Sequence, residues 1–257
     1  MRVLALIPAR YASTRFLAKP LALLGGRPII QHVYERVSRL FPNSTFVATD
    51  DERIAQCVAS FGGRHIMTGT HHRSGTDRCC EALRKAPGGP YDIVINIQGD
   101  EPFIHESQIQ TVAEAFNDPD TQIATLVKPF APQAGLTALE NPNSPKVVVS
   151  PEGRALYFSR SVIPFLRGVP REEWLSRHTF YKHIGLYAYR PEVLAAITSL
   201  PQSPLELAES LEQLRWLEAG YNIRVGLTDT ETIGIDTPED LCKAEQFLAS
   251  HSKKVKD

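Results

Sequence analysis

The sequence has no apolar stretch approaching ~20 residues in length, so no membrane-spanning helix is expected. Its opening run, Met1-Arg2-Val3-Leu4-Ala5-Leu6-Ile7-Pro8, is too short for a signal peptide, and the expected location is the cytoplasm. Cysteine is scarce: Cys57, Cys79, Cys80 and Cys242 form no CxxC pair and no zinc spacing. All four read as reduced packing residues, with Cys79 and Cys80 on different faces of a helix. Charge of either sign is not in excess. A formal net charge of -1 excludes a global attraction to nucleic acid or an anionic membrane, so any anion site must come from a local cluster. Two phosphate-binding patterns are absent. Without GxxxxGK[ST] the chain is not a P-loop protein, and without GxGxxG after the first strand a dinucleotide-binding dehydrogenase loses its main support. There is no internal repeat and no low-complexity tract.

What is present is an ordinary globular chain. Its 257 residues are 42% hydrophobic, enough for one large α/β domain or two small ones. Val3 to Ile7 is a continuous apolar run suited to a buried parallel strand. Pro28 to Leu40 has helical periodicity, with Pro28 in the first turn. Strands follow at 45–49, 64–67, 93–97 and 123–127, alternating with helices at 51–61, 76–85 and 107–116. This β-α alternation predicts a doubly wound, mostly parallel sheet. The rhythm changes near Pro129, where residues 129–145 read as an insertion. Residues 146–150 and 154–159 read as a hairpin, 184–189 as a strand, 207–219 as one helix and 223–227 as a strand. The last helix runs from Pro238 to about Ala249, started by Thr237, and the polar 250–257 tail is expected to fray. The stretch Val169–Thr179 is charged and reads as a mobile loop.

Two features point to chemistry. The loop from Pro8 to Pro20 holds three cations, Arg10, Arg15 and Lys19, and no acid. It leaves the carboxyl end of the first strand, where open α/β sheets bind ligands. Arginines offer paired donors to phosphate, lysine a mobile point charge, and Ser13 and Thr14 add hydroxyls. A solvated surface loop is the alternative. Asp100 follows the most apolar strand, and Asp236 follows the last one. Two carboxylates at the ligand edge suit Mg²⁺, which takes one or two carboxylates plus phosphates. The alternatives are a strand-ending Gly-Asp turn for Asp100 and a helix cap for Asp236.

The segments IPARYASTR (7–15), KPL (19–21), SGTDR (74–78), INIQGDEP (95–102), KVV (146–148), ALYFSR (155–160), KHIGLYAYR (182–190), LEQLRWLE (211–218) and GIDTPEDL (234–241) occur in an ordered set covering nearly the whole chain. In that set the chain resembles the bacterial 3-deoxy-manno-octulosonate (Kdo) cytidylyltransferases, the CMP-Kdo synthetases. The resemblance implies one nucleotidyltransferase domain over 1–257, with an approximate sugar-binding and dimerisation insertion at 129–220. It implies attack of the anomeric hydroxyl of Kdo on the α-phosphorus of CTP, release of diphosphate, and supply of CMP-Kdo to lipopolysaccharide biosynthesis by a Mg²⁺-dependent homodimer. Carried over, Arg10, Ser13, Arg15 and Lys19 hold the triphosphate. Arg73, Ser74 and Gly75 face the cytosine, and Gln98 sits in the nucleotide site. Asp100 and Asp236 bind the metal and, with Lys19, form the catalytic set. Arg160, His183, Tyr187, Glu212 and Gln213 meet the sugar acid, whose carboxylate needs a cation such as Arg160.

Plainer readings stand beside these. His183 is a core histidine in a strand, Tyr187 packs with Tyr189 on one sheet face, and Glu212 and Arg215 form a surface pair at i, i+3. His71, His72, His105 and His178 have no ligand-like spacing. The family usually has Pro-Gly where this chain has Leu17-Ala18, and glycine there lets the backbone approach the phosphates. Pro145 stands where a β-branched residue is more usual. No general base is apparent. The competing functions are a cytidylyltransferase for sialic acid or an amino-Kdo analogue, a nucleotidyltransferase for another base or a neutral sugar phosphate, and a non-catalytic nucleotide-binding regulator.

Overall fold

The computed structural model describes residues 1–12, 15–231 and 233–253, the last three of these as helix backbone only. The chain has an α/β fold with two compact units, Met1–Ile109 joined by Thr232–Asp257, and Gln110–Glu231.

The first unit is built on β1 (Val3–Ala9), whose Leu4, Ala5, Leu6 and Ile7 are completely buried. Burial on both faces is why the run is apolar without alternation. A short hairpin follows, β2 (Leu23–Leu24) and β3 (Arg27–Pro28). Its two-residue loop, Gly25-Gly26, has positive φ at both positions (57° and 79°), which glycine adopts without a Cβ clash. Sequence periodicity does not reveal strands this short. Next come α1 (Ile29–Leu40), β4 (Thr45–Thr49), α2 (Glu52–Ser60), β5 (His65–Met67), α3 (Gly75–Lys85) and β6 (Ile93–Asn96), and then α4 (Glu106–Glu114), within which the first unit gives way to the second. Pro28 is the residue before α1 rather than part of its first turn. Asp51 caps α2 by accepting from the Arg53 amide, and Ser74 caps α3 by accepting from the Asp77 amide. The four long strands pair in parallel in the order β6-β1-β4-β5.

The second unit holds β7 (Ile123–Pro129), α5 (Gly135–Glu140), β8 (Lys146–Val149), β9 (Ala155–Ser159), α6 (Trp174–Arg177), β10 (Tyr181–Tyr189), α7 (Pro191–Ile197), α8 (Pro204–Glu209), α9 (Gln213–Glu218) and β11 (Ile223–Leu227). Here β11 runs parallel to β7, whereas β7 with β10, β10 with β8, and β8 with β9 are antiparallel. The predicted 146–159 hairpin is present, turning at Gly153 (φ 73°). The single helix expected over 207–219 is two helices. A capping box between Ser203 and Glu206 starts α8 early, at Pro204, and Ser210 ends it in the left-handed conformation, φ 51°. The Glu209 carboxylate accepts from the Ser159 hydroxyl (2.6 Å) and the Arg160 amide (2.9 Å), tying this break to the end of β9. The charged 169–179 stretch is anchored rather than loose. Trp174 is buried, donates to the Val169 carbonyl (3.0 Å) and stacks on Phe180.

The chain closes with α10 (Pro238–Lys253), back in the first unit and longer than its apolar pattern suggests. Ala244 and Ile235 pack there with Leu24 and Ile29. All four cysteines are free thiols. Cys79 and Cys80 are buried, but Cys242 is exposed on α10 and is not a packing residue.

Candidate active site

Within the first unit, three segments meet beyond the carboxyl ends of the parallel strands. The residue 10–22 loop follows β1, Gln98–Pro102 follows β6, and 233–237 leads into α10. Because β1 and β6 pair in parallel with Leu6 opposite Asn96, their following loops emerge on the same edge. The Ile235 amide donates to the Asp100 carbonyl (2.9 Å), stitching the second segment to the third.

At the junction, Lys19 Nζ donates to Asp100 Oδ2 (2.5 Å) and Asp236 Oδ1 (3.1 Å), and Arg15 reaches Asp236 Oδ2 at 3.2 Å. The Lys19 side chain is only 14% exposed, so this ammonium is held in place rather than solvated. A cleft of about 280 Å³ opens beside it. Its lining includes Arg10, Arg15, Lys19, Arg73, Ser74 and Gly75 together with Gln98, Asp100 and Asp236. Among the described residues, Arg10 and Arg73 form no ion pair, so the lining presents positive charge to whatever enters. Every predicted nucleotide and metal residue is brought together here except Ser13, which lies outside the described residues.

Local sequence explains the geometry. Ala18 takes φ 57°, ψ 23°, the left-handed region that glycine enters freely and other residues enter at a cost of ~1–2 kcal/mol. Its amide donates to the Tyr11 carbonyl (3.0 Å) and closes the basic loop just before Lys19. Gly99 has no room for a side chain, since a Cβ would lie 2.9 Å from the Pro8 carbonyl oxygen. That close approach fixes where Asp100 leaves β6. Thr237 and Asp240 cap α10 reciprocally, the Thr237 amide donating to Asp240 Oδ2 (3.1 Å) and the Asp240 amide to Thr237 Oγ1 (3.2 Å). The cap therefore does not use Asp236, whose carboxylate faces Lys19 instead. Sequence reading missed Arg78, which also lines the cleft. It is buried and paired with Asp50 (2.9 Å), and its place one turn after the Ser74 cap on the buried face of α3 was the available signal.

The predicted sugar-acid residues lie in the second unit. Arg160 donates Nε to Glu209 O (2.6 Å), Nη1 to Pro142 O (2.9 Å) and Nη2 to Ser210 O (3.2 Å), which uses three of the five N–H groups of a guanidinium. His183 Nε2 lies 3.1 Å from Thr125 Oγ1, and burial lowers its pKa to about 3, so the imidazole is neutral. Tyr187 stacks with Tyr189 (6.0 Å between centroids), and burial, then the Glu212 charge, pushes its hydroxyl well above the usual range. Glu212 accepts from Arg215 (2.9 Å) as the i, i+3 spacing suggests, but Arg215 is buried, so this is not a surface pair. Gln213 Nε2 and Trp216 Nε1 are buried without a hydrogen-bond partner among the described residues.

One cluster is brought together by the fold although its sequence spacing is not ligand-like. Ring nitrogens of His71 and His72 and a Glu81 carboxylate oxygen lie within 4.8 Å of one another. The spacing hides the set because the third member, Glu81, lies nine residues after His72, on α3. The Lys85 ammonium, then the Gly69 amide, hold the Glu81 carboxyl down to about 2.

Comparison with known proteins places these features in context. A family model described as Cytidylyltransferase matches residues 4–227. The 3-deoxy-manno-octulosonate cytidylyltransferase of Phocaeicola vulgatus is 66% identical over 248 residues, covering 96% of this chain and 98% of that protein. The protein of the same name from Bacteroides thetaiotaomicron is 63% identical over 252 residues, covering 98% and 100%. Among solved structures, a CMP:2-keto-3-deoxy-manno-octonic acid synthetase complexed with CTP matches with a TM-score of 0.87 and 42% identity over 98% of this chain and 100% of that one. A 4-diphosphocytidyl-2C-methyl-D-erythritol synthase from Anaerococcus prevotii, TM-score 0.60 at 16% identity, shares the fold alone.

Proposed function

The chain belongs to the cytidylyltransferase family, and from that premise we propose that it activates Kdo, converting CTP and 3-deoxy-D-manno-octulosonate to CMP-Kdo and diphosphate. The observation that carries this reading is the Lys19 ammonium bracketed by Asp100 and Asp236 in a cleft also lined by Arg10, Arg15 and Arg73. Those cations suit a triphosphate, and the cleft suits a nucleotide rather than a flat surface contact.

In the reaction, the anomeric hydroxyl of Kdo gives up its proton to solvent as its oxygen forms a bond to the α-phosphorus, while the bond from that phosphorus to the β-phosphate oxygen breaks. The work of the chain is positioning and charge stabilisation. Arg10, Arg15, Ser13 and Lys19 bind the triphosphate, and the cations among them neutralise the diphosphate as it leaves. Arg73, Ser74 and Gly75 take the cytosine end, with Gln98 beside Asp100. Asp100 and Asp236 fit a divalent cation, because their carboxylates already share a single positive centre at 2.5 and 3.1 Å. Mg²⁺ there would offset negative charge on the phosphates. The sugar acid falls to Arg160, His183, Tyr187, Glu212 and Gln213. Gln213 Nε2 and Trp216 Nε1, buried donors with no acceptor among the described residues, support that part, since such a donor is costly and a polyhydroxy ligand supplies an acceptor.

The proposal extends to lipopolysaccharide biosynthesis, a cytoplasmic location and a homodimer through the 129–220 subregion. That subregion exposes Leu156, Phe165 and Leu207, which supports an interface. Diphosphate release with CTP, Kdo and Mg²⁺ is the test. Equal turnover with UTP, or preference for sialic acid or an amino-Kdo, would overturn the assignment, and no release with any sugar acid would leave a non-catalytic nucleotide binder.

A further inference from the structure

We propose that His71, His72 and Glu81 form a second metal site, separate from the two aspartates, that takes one borderline transition-metal ion such as Zn²⁺ or Co²⁺. The three side chains converge although the sequence separates Glu81 from the histidines, because α3 carries the carboxylate back over the loop that precedes it. Their ligand atoms lie within 4.8 Å of one another, and a tetrahedral zinc ion needs ligands about 3.3 Å apart, so only small side-chain rotations are required. The His72–Glu81 pair is already in hydrogen-bond contact.

The surroundings orient the ligands. The Gly69 amide donates to Glu81 Oε2 (3.0 Å) and Lys85 Nζ holds Glu81 Oε1 (2.6 Å), fixing the carboxylate from two sides as outer-shell partners do at metal centres. The His71 ring lies over Gly69, where an added Cβ would sit 2.5 Å from its Nδ1, and it packs against the His72 ring with centroids 4.4 Å apart. The His72 side chain is 8% exposed while His71 is exposed, so the site has one sheltered and one accessible imidazole and an entry path. Two imidazoles and one carboxylate suit Zn²⁺, Co²⁺ or Ni²⁺, whereas Mg²⁺ prefers oxygen ligands and water. The positive charge of Lys85 on the same carboxylate opposes the ion and keeps affinity moderate. His72 also lines the nucleotide cleft, and Arg73-Ser74-Gly75 follow it directly, so an ion here would tie the cytosine-facing loop to the second turn of α3.

The test uses the full chain without an oligohistidine tag, stripped with chelator, in saturating Mg²⁺ to occupy oxygen sites, and in a Cys242→Ser background to remove the exposed thiol. Co²⁺ titration should saturate at one ion per chain with the visible absorption of a low-coordinate site, and Zn²⁺ should displace it. His71→Ala, at an exposed position outside the cleft lining, should weaken binding at least about tenfold with unchanged circular dichroism. Glu81→Gln should do the same. No saturable Co²⁺ binding, or His71→Ala binding as tightly as its parent, would overturn the site. Because neither readout uses catalysis, either result leaves the cytidylyltransferase reading untouched.

Discussion

Lowering the pH from 7 to 5 should destabilise the chain by about 2 kcal/mol more than it destabilises a His183→Gln variant. His183 sits in β10 with its ring edge-on to Phe158 (5.2 Å) and near Tyr187 (5.4 Å), and its Nε2 meets the Thr125 hydroxyl. Burial lowers its pKa from 6.5 to about 3. A depressed histidine favours folding in its neutral form, so its contribution is complete above the unfolded-state value near 6.5. It is lost as pH falls towards about 3, because the unfolded chain gains a proton that the folded chain refuses. Each pH unit inside that window is worth about 1.4 kcal/mol, so the 1.5 units from 6.5 to 5 come to about 2 kcal/mol. The residue keeps a partly accessible edge, but returning a unit of the depression barely alters the figure, since the folded imidazole would still be neutral at pH 5. Glutamine keeps a polar partner for Thr125 and does not titrate. Urea unfolding followed by tryptophan fluorescence reads the relevant region, because Trp174 and Trp216, the only tryptophans, share the second unit with His183. Taking the difference between the two proteins cancels the carboxylates they share. Equal losses of stability in both would refute a desolvated, neutral His183.

Asp100→Asn should lower kcat by about 10²-fold or more while leaving the unfolding transition in place, since it removes one of two carboxylates facing Lys19 without changing side-chain volume. Near-normal diphosphate release with Mg²⁺ present would remove that carboxylate from the reaction. Ala18→Gly should stabilise the chain by about 1 kcal/mol, or roughly 2–4 °C in thermal midpoint, because glycine relieves the left-handed alanine at φ 57°. A fall in midpoint would mean that the loop is not held in that conformation.

Much of the first unit was legible because its burial is simple. A strand covered on both faces, such as Val3–Ile7 or Ile93–Ile95, is apolar throughout, and the helices carry periodic apolar faces, the last of them started by Thr237. The second unit was harder to read. Its one expected helix over 207–219 is broken at Ser210 by a tertiary contact, Glu209 with Ser159 and Arg160, which no local pattern encodes. Similarly, α7 was not anticipated although Pro191 occupies its first turn, because the apolar run of β10 leads straight into it. The burial of Lys146, whose ammonium donates to the Asn141 and Arg160 carbonyls, is set by tertiary contacts that the KVV segment does not reveal.

The site shows the same division between local and tertiary information. Charge in the basic loop and carboxylates at strand ends are visible in sequence, because a parallel sheet gathers its carboxyl ends on one edge. What sequence could not give is how those charges are matched before any substrate arrives. Lys19 does not project freely into the cleft; it is the counter-ion that lets Asp100 and Asp236 sit side by side. Two carboxylates sharing one cation repel each other once that cation is removed. Replacing Lys19 with methionine should therefore harm more than phosphate binding. Without Mg²⁺ the variant should lose thermal stability relative to its parent, and added Mg²⁺ should restore most of the difference by taking over the same pair of carboxylates. If Mg²⁺ stabilises parent and variant equally, Lys19 and the metal do not share that pair, and the carboxylates must be assigned separate partners.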